Sequence, residues 1–181
     1  MTIEVAREVN TSPMPMYVRH TRSVRIDELA DHVRDKLAAH AEPRQLDLSN
    51  VRLWLTHSEN PPADSGFGKL LRRRANPADP DVEHDTVVVL HPTHILVAID
   101  GAKRGTSVLS LPLTQASVVP GTGIGAKLGR VAGEADGFTI SGLEGDRPGS
   151  FYVGLGTEPA AAECFSAVES AIVAAKNPAG R

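Results

Sequence analysis

The residues best equipped for chemistry lie in three short stretches. The first is "GTGIGAKLG", residues 121–129, where Gly121, Gly123 and Gly125 precede Lys127. Glycine-rich turns of this kind hold phosphates through backbone N–H groups and a lysine ammonium. A phosphate loop, however, needs Gly-Lys-Ser/Thr, and Lys127 stands between Ala126 and Leu128. The dinucleotide pattern G-x-G-x-x-G/A is met from Gly121 only in its alanine form, at Ala126. Read from Gly123, the pattern ends on Leu128. A helix should also open after such a loop, whereas "RVAGEADGFTISG" leads into a strand. Nucleotide or phosphate binding at Gly121, Gly123, Gly125 and Lys127 is the last of three functional expectations.

The second stretch is "KLLRRR", which places Lys69, Arg72, Arg73 and Arg74 beside Phe67, Leu70 and Leu71. Cations interleaved with apolar side chains suit an anionic membrane surface, each charge adding about 1 kcal/mol. Asp79, Asp81, Glu83 and Asp85 follow closely and are expected to be able to neutralise the run. The third stretch holds His84, His91 and His94 near Glu83 and Asp85. H-P-T-H is not the helical H-E-x-x-H pattern, and Pro92 forbids a helical histidine pair. No metal site is expected there, and His57 has no evident partner. No G-x-S-x-G elbow occurs. Cys164 follows Glu163 on an apolar stripe, an environment that disfavours the thiolate. No catalytic residue and no cofactor are expected.

Composition narrows the class of protein. The chain has 181 residues, 41% hydrophobic and 23% charged, with a net charge of −3. A dedicated nucleic-acid binder would be strongly basic, so none is expected. One cysteine excludes an internal disulfide and fits a reducing compartment. No apolar run reaches the roughly 18 residues of a spanning helix. The opening "MTIEVAREVN" lacks the apolar centre of a signal peptide. A cytoplasmic location is expected, and the excess of Arg over Lys hints at a GC-rich bacterial genome.

The elements that must position these residues read as follows. Residues 1–50 form an N-terminal extension, with weak strand patterns around Ile3–Val9 and in "MYVRHTRSV". An amphipathic helix is predicted over 24–41: Ile26, Leu29, Ala30, Val33 and Leu37 share a face, Ser23 caps it and Pro43 stops it. "VRLWLTH" (51–57) alternates as a half-buried strand, with Val51, Leu53 and Leu55 inward. Residues 58–84, rich in proline, form a long irregular insertion. Short strands follow at 85–90, 94–100, 106–113, 115–119, 137–142 and 150–156. The first two of these meet as a hairpin across "HPTH". A closing helix is predicted from Thr157, its cap, to Lys176, with Ala161, Cys164, Phe165, Val168, Ile172 and Ala175 on its apolar stripe.

Seven strands in succession and then one helix predict an α+β fold. It is a seven-stranded antiparallel open barrel or sandwich capped by a C-terminal helix, spanning 51–177. With "DTVVVLHPTHILVAID" and "LSLPLTQASVV" in that order, the chain resembles the pleckstrin-homology (PH) family, particularly its bacterial PH-like branch. The resemblance covers about residues 50 to 176. Eukaryotic members usually carry a Trp in the final helix; here the matching face has Phe165, and Trp54 lies in the first strand. The resemblance implies a non-catalytic interaction module that binds a protein partner or itself. Its lipid-binding members carry basic residues in the loop between the first two strands. That makes an anionic membrane surface, met through Lys69 and Arg72 to Arg74, the second expectation.

Overall fold

Two neighbouring strands with no polar face organise the molecule. A computed structural model describes residues 16–62, 74–121, 137–144 and 147–178. Strand β3 (Glu83–Leu90) buries Val87, Val88 and Val89 in succession. Strand β4 (His94–Gly101) does the same with Ile95, Leu96, Val97 and Ala98. Successive side chains of a strand point to opposite faces, so such runs require cover on both sides. They sit in the interior of a five-stranded antiparallel sheet, in the order β1 (Val18–Val24), β2 (Arg52–Glu59), β3, β4, β5 (Gly105–Pro112).

One face is covered by α1 (Asp31–Ala41). Val33 and Leu37 of α1, with Leu29 and Val24, pack on Leu53, Val87, Val89, Leu96 and Ala98. His40 Nε2 lies 2.8 Å from Ser110 Oγ, and Ser110 is buried, so this pair pins α1 to β5. The other face is covered by a second antiparallel sheet, β6 (Ser117–Pro120), β7 (Gly137–Glu144) and β8 (Arg147–Gly154), and by α2 (Pro159–Lys176). Phe138, Ile140, Val153, Cys164, Val168 and Ile172 meet Trp54, Val88, Ile95 and Val97 there. The fold is thus α+β with two antiparallel sheets that do not close into a barrel, plus the C-terminal helix.

Several expected elements change. Between Arg52 and Gly154 the described residues carry seven strands, and "VRHTRSV", only weakly patterned in the sequence, adds an eighth by pairing in full with β2, from Val18↔Glu59 to Val24↔Leu53. The helix predicted over 24–41 is shorter. Ser23 lies in β1 and donates its hydroxyl to the Leu53 carbonyl rather than capping a helix. A single 3-10 turn, Ile26–Glu28, follows, closed by the Glu28 carboxylate on the Arg25 amide at 2.7 Å. Leu29 and Ala30 are non-helical, and α1 begins at Asp31. Ladder bonds to β2 outcompete helical propensity at 23–24, and propensity is the weaker force. Pro43 falls in a second 3-10 turn, Glu42–Arg44, as the helix stops.

β2 is not half-buried. Leu53 and Trp54 are both buried, since the strand is covered on each side. Arg52 lies over the Trp54 ring at 4.9 Å and bonds Glu163 of α2 at 2.7 Å. The "HPTH" hairpin forms as expected, with the His91 amide on the His94 carbonyl at 2.9 Å. α2 starts at Pro159, with Glu158 at the cap position instead of Thr157. The Glu158 carboxylate turns away from its own helix and accepts the Thr21 amide at 2.9 Å. The Gly156 amide donates to Thr21 Oγ1 at 2.8 Å. Both bonds clip the segment before α2 to β1.

Leu37 has no exposed surface. Leu37→Ala is expected to destabilise the protein by about 3 kcal/mol through lost burial and a residual cavity. Urea unfolding measures this; a loss below about 1 kcal/mol would place α1 outside the cooperative core.

Candidate functional site

The densest polar network lies where the insertion between β2 and β3 returns to the sheet. Its stem is closed by backbone. Pro62 and Arg74 form an isolated antiparallel bridge, and the Ala75 amide donates to the Pro61 carbonyl at 2.8 Å. The Asn60 amide donates to the Val82 carbonyl at 2.7 Å. Side chains then tie the stem together. Asn60 Nδ2 donates to the Asn76 carbonyl at 2.8 Å, and the Asn76 amide returns to Asn60 Oδ1 at 3.0 Å. Asn76 Nδ2 donates to the Tyr17 hydroxyl at 2.8 Å, which donates in turn to Asp79 at 2.5 Å.

Asp79 and Asp81 are held from the turn between β4 and β5. Asp81 Oδ2 accepts Arg104 Nε at 2.6 Å, and Asp81 Oδ1 accepts the Lys103 amide at 2.6 Å. Arg104 also pairs with Asp79. The Arg104 guanidinium, followed by the Lys103 amide, holds the Asp81 carboxyl below its usual range. Burial pushes Asp79 upward, but bonds from Tyr17, the Asp81 amide and Arg104 outweigh it, so its carboxyl also lies low. Burial and the Asp79 bond push Tyr17 up to about 12. His84 packs edge-on to Tyr17, and burial lowers its pKa, which favours the neutral ring. Gly101 stays small because a Cβ there would fall 2.6 Å from Asp81 Oδ2.

This arrangement gives the acidic residues after the basic run partners that the sequence did not show. Asp79 and Asp81 bond Arg104, Tyr17 and backbone amides, and most of the basic run they were expected to neutralise lies outside the described residues. Asp85 is bonded to His57, whose Nδ1 lies 2.7 Å from Asp85 Oδ1. His57 therefore has the partner its sequence did not reveal. The signal was the β2–β3 register, which sets His57 opposite Asp85. Glu83 and Glu59 lie 3.8 and 3.9 Å from His57 Nε2.

Of the basic candidates, Arg74 is at the stem bridge, whereas Lys69, Arg72 and Arg73 lie outside the described residues. Of the glycine-loop candidates, Gly121 has φ +50° and donates its amide to the Gly137 carbonyl at 2.9 Å. Gly123, Gly125 and Lys127 lie outside the described residues. Gly137 opens β7, a strand. A cavity of about 330 Å³ separates it from the start of α2, lined by Gly156, Thr157, Glu158, Ala161 and Phe165. Helix N-termini attract anions. The Glu158 carboxylate, held ionised chiefly by the Thr21 amide, presents a negative charge there instead.

Among the described residues, no three His, Cys, Asp or Glu side chains are placed to hold a metal ion. His91 and His94 share Thr93 as a hydrogen-bond partner. Burial drives the Cys164 thiol up to about 12, so it packs in the core as a protonated side chain. Compared with models of known protein families, with curated proteins and with solved structures, the chain matches none.

Arg104→Ala leaves two buried carboxylates without their cation and is expected to lower Tm by roughly 5–10 °C at neutral pH. The depressed carboxyls of Asp79 and Asp81 contribute stability that is present above about pH 4, their unfolded value. That stability is lost as pH falls through their lower folded values. Thermal melts from neutral to acid pH should therefore show a steep acid limb in the wild type and a flatter one in Arg104→Ala. Parallel limbs would remove Arg104 as the stabilising partner.

Proposed function

We propose that the chain is a non-catalytic interaction module of PH-like architecture whose partner is a protein. The order of β2 to β8 followed by α2 supports the architectural reading. One observation carries the functional reading. β6 pairs only with β7 among the described residues, so no described strand occupies its other edge. Val119 on β6 is 51% exposed. Val173 of α2 is 55% exposed, one turn before Lys176, whose Nζ donates to Ser117 Oγ at 3.3 Å. An open strand edge beside an apolar helix surface is the geometry that takes up an extended peptide. Main-chain hydrogen bonds supply affinity, and alternate side chains supply selectivity.

The test uses random dodecapeptides displayed on phage. Selected peptides are expected to lose about tenfold or more in affinity when their edge-facing amides are N-methylated, one lost bond being worth about 1.4 kcal/mol. Val173→Glu should weaken them similarly. Failure to select any peptide, or indifference to N-methylation, overturns edge pairing.

A second reading has its own observation. Asp79 and Asp81 pair with Arg104, and Asp85 with His57, so among the described residues these three carboxylates have partners of their own. We infer that Lys69 and Arg72 to Arg74 give the chain affinity for anionic lipid surfaces. Vesicles rich in phosphatidylserine should co-sediment the wild type at low salt and release it at high salt. Alanine at all four positions should abolish co-sedimentation. Equal sedimentation of both proteins, or no binding at low salt, removes this reading.

A further inference from the structure

The three-stranded sheet has an outer face that contrasts with the rest of the surface. Phe138 and Ile140 of β7 point into the core, so Thr139, Ser141 and Leu143 point away from it. The register completes three rows across the strands. The first is Val119, Thr139 and Tyr152; the second is Ser117, Ser141 and Ser150; the third is Leu143 and Pro148. None of these eight positions carries a charge, in a chain where 23% of residues do. Val119 and Leu143 are 51% and 44% exposed, and a shallow hollow of about 460 Å³ opens beside Leu143 and the serines. Among the described residues, two cations stand at the margins of this face. Lys176 reaches Ser117 from α2, and Arg19 lies 5.9 Å from the centre of the Tyr152 ring.

From this pattern we infer that the outer face of β6–β7–β8 docks a second copy of the same face. A serine hydroxyl both donates and accepts, so a serine row can satisfy its own copy; a row of like charges would repel it. The rows are also ordered symmetrically, with apolar positions on either side of the serines. A two-fold axis along the serine row, in the plane of the interface, lays the Val119 and Tyr152 row of one copy on the Leu143 and Pro148 row of the other. That is the isologous arrangement a two-fold dimer requires. Ser141 and Ser150, 3.0 Å apart, already bond across the strands and can exchange with the copy's hydroxyls.

The size of the face sets the strength. Two strands about 27 Å long and one of about 14 Å, spaced about 4.8 Å apart, present roughly 320 Å² of projected area per copy. Standard stable interfaces bury about 800 Å² per partner, so the dimer is reversible. Each copy carries a net charge of −3, and Lys176, beside the axis at Ser117, meets its own copy. Screening therefore tightens the dimer, the opposite of its effect on anionic-surface binding.

This inference rests on reading the chain as an interaction module, and it names the chain itself as a partner. Sedimentation velocity of the full chain from about 1 to about 500 µM tests it, at about 50 and about 500 mM NaCl. A concentration-dependent monomer–dimer equilibrium that is tighter at high salt is expected. Leu143→Glu and Ser141→Asp, both at the surface, should weaken it at least tenfold with melting curves unchanged. Val173→Glu, away from this face, should leave it intact. A monomer throughout the range, or a dimer insensitive to Leu143→Glu, overturns the inference. Peptide selection by a strictly monomeric chain would overturn self-docking alone and leave edge pairing standing.

Discussion

Everything in this fold follows from the demand of two adjacent strands to be buried on both faces. β3 and β4 present valine, leucine, isoleucine and alanine without alternation. Apolar area gains about 25 cal/mol per Å² when it leaves water. A single layer cannot satisfy such strands. α1 and the residues leading to it cover one face, and the three-stranded sheet with α2 covers the other. β1 then closes the edge beside β2 and is clipped by Glu158 and Gly156 from the segment before α2. The N-terminal and C-terminal elements thus meet at Thr21, through one bond from its amide to the Glu158 carboxylate and one from the Gly156 amide to its hydroxyl.

A consequence is that polar machinery is pushed to the rim. The brace of Tyr17, Asn60, Asn76, Asp79, Asp81 and Arg104 gathers residues from β1's approach, the insertion stem and the β4–β5 turn. Its carboxylates are held by fixed partners, Arg104, Tyr17 and backbone amides. Its effect is mechanical: the insertion leaves and rejoins the sheet at a fixed point while its acidic neighbours are engaged inward.

Much of this was readable in the sequence, where local signals agreed with the global fold. The strand runs from Glu83 to Pro112, the turn at Pro92, the stripe of α2 and the packing of Cys164 all follow from periodicity and turn chemistry. The break between Val24 and Asp31 was not readable. The pattern of Ile26, Leu29 and Val33 suits a helix, and only the ladder to β2 shows why the chain stays extended through Val24. The partners of Asp79, Asp81 and His57 were hidden for a related reason. Arg104 is 23 and 25 residues from its aspartates, and Asp85 is 28 from His57. Such pairs are created by register, which composition and spacing do not specify. The uncharged outer face was equally hidden, since its three rows exist only once β6, β7 and β8 are aligned.

The large sheet buries β3 and β4 in the core, whereas no described strand occupies the second edge of β6. Residue-resolved amide hydrogen exchange on dilute protein tests this directly, because protection reports local opening and solvent access. Amides of Val87 to Val89 and Leu96 to Ala98 should be the slowest in the chain. In β6, amides directed away from β7 should exchange close to the unprotected rate. Protection of every β6 amide at the level of β4 would show that edge already covered and would contradict the account.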